Sequence, residues 1–225
     1  MVRIIDIKQS VYADNDADAA RLRSQLQEKG VFLVNLMSSP GAGKTSVLRR
    51  TIAALSSEFR IGVMEADIDS DVDARALAAE GVSVIQLHTG GMCHLDADMT
   101  RQGLTELGVL GEGESPFDLV FLENVGNLVC PAEFDTGACR NVMILSVPEG
   151  DDKPLKYPLM FQVSQAVLVN KTDAVDFFDF DMERARTRVA QRNPEAAFFA
   201  LSAKTGQGFA PWLDWLRAQV RAANS

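Results

Sequence analysis

The sequence predicts an α/β fold: a doubly wound, mostly parallel sheet with helices on both faces. Three observations carry that expectation. Short runs rich in aliphatic and β-branched residues recur at 31–37, 61–65, 82–87, 119–122, 142–147, 166–169 and 198–201. Most of them lack polar alternation, as strands buried on both faces do. Helical patterns lie between several of them, and such alternation implies a parallel sheet with ligands at the carboxyl ends of its strands.

Taken in order, residues 14–29 place Ala19, Leu22 and Leu26 at helical spacing, after Asp and Asn cap candidates and before Gly30 as a stop. The run 31–37 then opens the main body. Further helical patterns fall at 45–56, 71–80, 96–107, 181–192 and 209–222. Residues 108–116 read as a solvent loop, and 151–158 as a second loop pinned by Pro154 and Pro158. No internal repeat or low-complexity segment interrupts the pattern. Residues 1–30 read as an N-terminal appendage with one helix, packed on a nucleotide-binding domain at 31–225.

Composition narrows the class. At 225 residues the chain fits one α/β domain, and 47% hydrophobic with 24% charged residues is ordinary for a globular protein. A net charge of −9 argues against a nucleic-acid partner, which would require a basic face. The first residues lack the apolar core of a signal peptide, and no run reaches the roughly 18 apolar residues needed to span a bilayer. Three cysteines cannot form a closed disulfide set, so free or metal-bound thiols in a reducing cytoplasm are expected.

Ser38-Ser39-Pro40-Gly41-Ala42-Gly43-Lys44-Thr45 follows the first strand and opens a helix, the context of a P-loop. The expected fold is therefore a P-loop NTPase. The backbone at Gly41, Ala42 and Gly43, with Ser46 behind it, would cradle phosphates at a helix N-terminus. Lys44 would reach the β- and γ-phosphates, and the Thr45 hydroxyl would ligate Mg²⁺. Ser38 stands where the motif usually begins with glycine. Asp67 ends the second strand and is the second expected Mg²⁺ residue. Asp69, Asp71 and Asp73 behind it suit helix capping and solvation. After the fourth strand, Glu123-x-x-Gly126 has the form of a γ-phosphate sensor.

The base is read from 170–173. Asn170-Lys171-Thr172-Asp173 follows a buried strand, and the Asp173 carboxylate can accept from both the N1–H and the exocyclic amine of guanine, a donor pair adenine lacks. Asn170 would brace the loop and the stem of Lys171 would cover the ring. Ser202-Ala203-Lys204 would present backbone N–H groups to the base carbonyl. GTP is thus expected over ATP, with Lys44, Thr45 and Asp67 as the catalytic set.

Cys93-His94 follows the third strand, and Cys130 lies four residues beyond Gly126. Soft ligands at the nucleotide edge suggest a Ni²⁺ or Zn²⁺ site, without a choice between the two. The plainer alternative makes Cys93 and Cys130 small buried hydrophobes and His94 a helix-start hydrogen bonder. Three ligands suit a transferable ion, or a shell completed by a second copy of the chain. Cys139 reads as structural; His88 does too, though it is near enough to serve as a spare ligand.

The strings at 38–45, Cys93-His94-Leu95-Asp96-Ala97, 123–135 with its Asn127-Leu128-Val129-Cys130-Pro131, 149–158 with its Asp152-Lys153-Pro154-Leu155-Lys156-Tyr157-Pro158, and 170–173 together resemble the HypB family. These are GTPases serving nickel insertion into [NiFe]-hydrogenases, and the resemblance covers residues 31–220. It implies a GTP-dependent homodimer of the signal-recognition/MinD-type branch. Nickel or zinc would bind through Cys93, His94 and Cys130 near the dimer interface. The implied partners are a HypA-type nickel/zinc accessory protein and the hydrogenase large-subunit precursor. Two departures stand out: residues 1–30 hold no Cys or His for a separate tight nickel site, and Gly91-Met92 precedes Cys93 where a basic residue is common. Two other readings stay open here. One is a nucleotide-dependent scaffold around a structural zinc, which would want four ligands. The other is the related urease nickel GTPase, which the Asn127–Pro131 string disfavours.

Overall fold

The computed structural model describes residues 7–67 and 72–223, so the expected capping residues Asp69 and Asp71 lie outside it. Seven strands form one parallel sheet: β1 (Phe32–Ser38), β2 (Ile61–Asp67), β3 (Ser83–His88), β4 (Leu119–Glu123), β5 (Arg140–Ser146), β6 (Ala166–Asn170) and β7 (Ala197–Ala200). Their spatial order is β3-β2-β4-β1-β5-β6-β7. The expected sheet is thus present, and every pairing in it is parallel.

Helices separate successive strands, because parallel neighbours need a crossover. α1 (Ile7–Glu28) precedes β1; α2 (Lys44–Leu55), α3 (Val72–Ala78) and α4 (Ala97–Glu106) follow β1, β2 and β3. α5 (Cys130–Glu133) follows β4; α6 (Lys153–Lys156) and α7 (Pro158–Gln162) follow β5; α8 (Met182–Arg192) and α9 (Phe209–Ala223) follow β6 and β7. Every residue of β1 is buried. Phe32, Val34 and Leu36 face a core with Leu48, Ile52, Trp212 and Leu216 from α2 and α9. Leu33 faces a second core with Leu22 and Leu26 of α1 and Leu104 of α4. Met37 enters a third with Met160, Phe161 and Val189 from α7 and α8. That two-sided burial is why the strands read as continuous apolar runs.

The segment 151–158 differs from the expected loop. Pro154 and Pro158 sit at the starts of the one-turn helices α6 and α7, where a missing N–H costs nothing. α1 also begins earlier than its Asp/Asn cluster suggested. Asn15 does not cap a helix; its side chain reaches other parts of the chain, as described below.

The strand order reverses at β1. The chain runs outward through β2 to β3, returns to insert β4 beside β1, then crosses to β5, β6 and β7. Ligands of open parallel sheets sit above the carboxyl ends at such a reversal. An amide ladder crosses the sheet beneath that point: Asn124 Nδ2, buried, donates to buried Asn35 Oδ1 at 3.1 Å, and Asn35 Nδ2 to half-buried Asn141 Oδ1 at 2.9 Å. Buried amides are held this firmly only when each finds a partner.

Candidate functional site

The P-loop leaves β1 at Ser38 and enters α2 at Lys44. Gly41 and Gly43 take left-handed backbone angles, φ 76° and 96°, that a β-carbon disfavours. A β-carbon on Gly43 would also stand 2.6 Å from Asn170 Nδ2. Ser38, the departure from the usual glycine, has a use: Lys44 Nζ donates to its Oγ at 3.3 Å, and that hydroxyl donates to Ser39 O at 2.6 Å. Ser39 Oγ donates to Glu149 Oε1, and Glu149 Oε2 accepts from the Ser146 N–H and hydroxyl at 2.7 Å each. The phosphate loop is thereby tied to the end of β5. Glu149 had no role in the sequence reading beyond opening the 149–158 string, since its relation to Ser39 depends on β1 and β5 being neighbours.

The base side assembles around Asn170. Its buried amide donates to Ala42 O and accepts from Ala203 N, both at 3.0 Å, so it joins the phosphate loop to the 202–204 loop. Lys171 is the sole non-glycine at positive φ among the described residues, and its Nζ donates to Gly41 O at 2.6 Å. Strain of that kind persists where surrounding contacts over-determine the backbone. Ser202 Oγ donates to Asp173 Oδ1 at 2.6 Å, and Lys204 Nζ lies 3.9 Å from Asp173 Oδ2. Gly43, Ser46, Asn170, Lys171, Asp173 and Lys204 line a cavity of about 290 Å³. Arg50 of α2, not foreseen, donates to Ala203 O at 2.9 Å and Lys204 O at 3.3 Å, holding this loop from behind.

Between phosphate and metal regions lie buried carboxylates. Glu65 of β2 pairs in register with Glu123 of β4, and Thr45 Oγ1 donates to Glu123 Oε1 at 2.8 Å. Both Oε2 atoms are buried without a hydrogen-bond partner. Carboxylate oxygens of Glu65, Asp73 and Glu123 lie within 4.8 Å of one another. Asp67 stands two residues beyond Glu65 at the end of β2. Orphaned, all-oxygen donors beside a P-loop threonine fit Mg²⁺, a hard cation. Glu65 and Asp73 were not among the expected ligands; the sequence offers no hint that β4 inserts next to β2.

Burial raises the Glu65 carboxyl to about 8, with the Glu123 charge adding to it. Burial raises Glu123 to about 7, opposed by Lys44 and the Thr45 hydrogen bond. Both groups bind protons more tightly folded than unfolded, so their contribution is complete below about 4.5 and is lost as pH rises through about 7 and 8. The metal-free protein should therefore melt at a lower temperature at pH 9 than at pH 6. Glu65→Gln, permanently neutral, should flatten that difference in thermal melts; an unchanged pH profile in the variant would refute the assignment.

The soft ligands converge. Cys93 and His94 sit in the turn between β3 and α4, and Cys130 opens α5. Cys93 Sγ lies 2.7 Å from Cys130 Sγ and 3.9 Å from His94 Nδ1, and the ligand atoms of all three lie within 4.8 Å of one another in one chain. Burial lowers His94 toward the neutral, ligating imidazole. The Cys130 thiol is raised by its hydrogen bond with Cys93 and by burial, so metal binding must displace protons. His88 ends β3 exposed, and Cys139 is half-buried with its N–H on Leu33 O; neither joins the triad. Met92 is exposed beside it.

One segment links the two regions. Glu123 touches Thr45, Asn124 N donates to Leu36 O, and Gly126 packs so close to Pro40 that a β-carbon would lie 3.1 Å from its Cα. Asn127 then accepts from Val129 N at 2.8 Å and donates to Cys130 Sγ at 3.8 Å.

Comparison with known proteins gives the family. The family model for the CobW/HypB/UreG nucleotide-binding domain matches residues 32–200. Hydrogenase maturation factor HypB of Azotobacter vinelandii is 44% identical over 217 residues, 96% of this chain and 70% of that protein. The crystal structure of HypB from Helicobacter pylori in complex with nickel superposes with a TM-score of 0.84 at 37% identity, covering 94% of this chain and 97% of that one. HypB from Archaeoglobus fulgidus gives 0.84 at 36%, covering 92% and 99%. A fold with Asn170 and Asp173 at a P-loop, and with two thiols and an imidazole on the turns after β3 and β4, thus coincides with sequence identity along nearly its whole length: the chain belongs to the CobW/HypB/UreG nucleotide-binding family, on its HypB branch.

Proposed function

We propose that this chain is a GTP-hydrolysing nickel carrier for hydrogenase maturation, with nucleotide state setting the grip on the metal. The observation that carries the reading is the single segment Glu123–Cys130, which touches the P-loop at one end and the thiolate pair at the other. GTP binds with its phosphates on the 41–46 backbone and Lys44, and its guanine on Asp173, braced by Asn170 and the 202–204 loop. Lys44 offsets charge on the phosphates. Mg²⁺, when bound, would be held by Thr45 with Glu123 and the neighbouring acidic groups Glu65, Asp67 and Asp73, and would neutralise phosphate charge. Gly126 lies against the P-loop, so a γ-phosphate there displaces the segment and with it Cys130.

The cargo site has three soft donors among the described residues. A permanent structural zinc usually closes its shell with four. An open position suits an ion that must leave, and Ni²⁺ or Zn²⁺ both accept thiolate with imidazole. The reading extends to a GTP-bound homodimer. Val129, Leu155, Leu159, Phe177 and Phe178 are exposed on the segments after β4, β5 and β6, an apolar rim on the nucleotide side of the sheet. A HypA-type accessory protein and the hydrogenase large-subunit precursor complete the pathway, in a reducing cytoplasm consistent with three free thiols. No helix among the described residues is long and apolar enough to cross a membrane.

The test is calorimetric. Ni²⁺ is titrated into protein loaded with GDP and into protein loaded with a non-hydrolysable GTP analogue. Affinities should differ about 5- to 150-fold, the usual span of coupled sites, and metal should shift nucleotide affinity by the same factor. Equal affinities in the two states would remove the switch.

A further inference from the structure

α1 contacts both segments that carry the metal ligands. Asn15 Nδ2 donates to Asp135 O at 3.0 Å, while Asn15 Oδ1 accepts from Ala97 N at 3.0 Å. A carbonyl on one side and an N–H on the other leave this amide one possible orientation. Ala97 begins α4, immediately after the Cys93-His94 turn; Asp135 follows α5, which begins with Cys130. One side chain therefore bridges the two halves of the triad. Tyr12 adds a second tie: its hydroxyl donates to Glu133 Oε2 at 2.9 Å, and its ring meets Phe134 at 5.0 Å. Phe134 in turn stacks on the His94 imidazole, centroids 3.9 Å apart and planes 17° from parallel. Further along α1, Arg23 grips Asp135 with two 2.8 Å bonds, and Asp18 lies 3.6 Å from Arg101 of α4.

These ties matter because the ligand segments have little rigidity of their own. α5 is a single turn, shorter than any helix that persists unaided. The Cys93-His94 turn hangs from β3, an edge strand paired on one side. Two such segments, far apart in sequence, need a third body to set their spacing.

Resting on the metal-carrier reading above, we propose that Asn15 and Tyr12 are positioning residues for the cargo site: α1 holds Cys93-His94 against Cys130 at metal-binding distance, so that the N-terminal helix sets the affinity for a soft divalent cation. Asn15 fixes the separation of the two segments, and Tyr12, through Phe134, fixes the plane of the His94 ring. Residues that orient metal ligands in this way contribute about 10- to 100-fold in affinity.

The experiment measures Ni²⁺ binding to the full chain by calorimetry and by the thiolate-to-nickel charge-transfer band, with a thermal melt and basal GTP turnover for each variant. Asn15→Ala and Tyr12→Leu should weaken Ni²⁺ binding about tenfold and alter the band, while GTP turnover without nickel stays at the wild-type level. Asn15→Asp keeps the acceptor for Ala97 but sets a carboxylate oxygen against Asp135 O, so it should weaken Ni²⁺ binding at least as much as Asn15→Ala. Lys29→Ala is the control: it cuts the bonds made just past the far end of α1 to Gly111 O and Gly113 O and should leave Ni²⁺ affinity unchanged. Wild-type affinity in folded Asn15→Ala and Tyr12→Leu would overturn the proposal, as would an equal loss in Lys29→Ala, which would indicate helix docking alone. Should Asn15→Ala or Tyr12→Leu melt early, Asn15→Asp, which keeps the side chain's size and the bond from Ala97, decides: weakened Ni²⁺ binding supports the role, wild-type binding overturns it. A wild-type protein that does not bind nickel would instead sink the carrier reading itself.

Discussion

Asp173→Asn is expected to turn a GTP-binding protein into one that prefers xanthosine triphosphate. Guanine offers two adjacent donors, the N1–H and the exocyclic amine, which a carboxylate accepts together. Asparagine replaces one acceptor with a donor, leaving the amine of guanine facing an N–H. Xanthine carries a carbonyl at that position and restores the match. Oδ1 of residue 173 can keep its bond from Ser202 Oγ in the variant, so the pocket's frame survives. Sites built around buried hydrogen bonds reject mismatched ligands by large factors, and GTP affinity should fall on the order of 100-fold or more while xanthosine triphosphate binding rises. Competition of both nucleotides against a fluorescent GDP measures the switch. Unaltered preference would mean that Asp173 does not read the base.

The second large effect is expected at Gly126. Its backbone lies outside the left-handed region, so alanine meets no conformational penalty there. The obstacle is space: a β-carbon would lie 3.1 Å from both Cα and N of Pro40, and those are backbone atoms of the phosphate loop. Backbone held at both ends by β1 and α2 yields less than a side chain does. Gly126→Ala should therefore push the 123–130 segment away from the P-loop. The ratio of Ni²⁺ affinities between GDP and GTP-analogue states should collapse toward one from the roughly 5- to 150-fold expected of coupled sites. GTP turnover should fall about tenfold or more if the segment orders the site for hydrolysis. Because the displaced segment carries Cys130, Ni²⁺ affinity of the nucleotide-free variant should shift toward that of the GTP-analogue state. A variant that keeps the full nucleotide-dependent ratio would show that the metal site answers to phosphate by another route.

Much of this molecule was legible along the chain. The sheet was readable because its central strands β1, β2, β4 and β6 are buried almost throughout and so announce themselves as apolar runs. The P-loop was readable because a tight phosphate cradle needs small residues between a strand and a helix. Departures occurred where local patterns are ambiguous. The prolines at 154 and 158 suit a rigid loop or a helix start equally, and the surrounding cores on α7 and α8 chose the helix start. The Asp/Asn cluster of residues 14–18 has cap chemistry, but Asn15 and Asp18 meet tertiary partners in mid-helix.

What the sequence by itself determined is therefore the order of the candidate groups: a P-loop, Cys93-His94, Glu123-x-x-Gly126 with Cys130, and Asn170-x-x-Asp173, each on a turn after a strand. Only the tertiary structure decided which of these groups meet. The insertion of β4 beside β2 sets Glu65 against Glu123, and it brings Cys130 to Cys93 and His94 within one chain. It also decided that α1 reaches the segments carrying Cys93, His94 and Cys130, through Asn15 and Tyr12. Local sequence specifies turns and burial, because these depend on neighbouring residues; strand order depends on how whole faces pack, and no short motif records it.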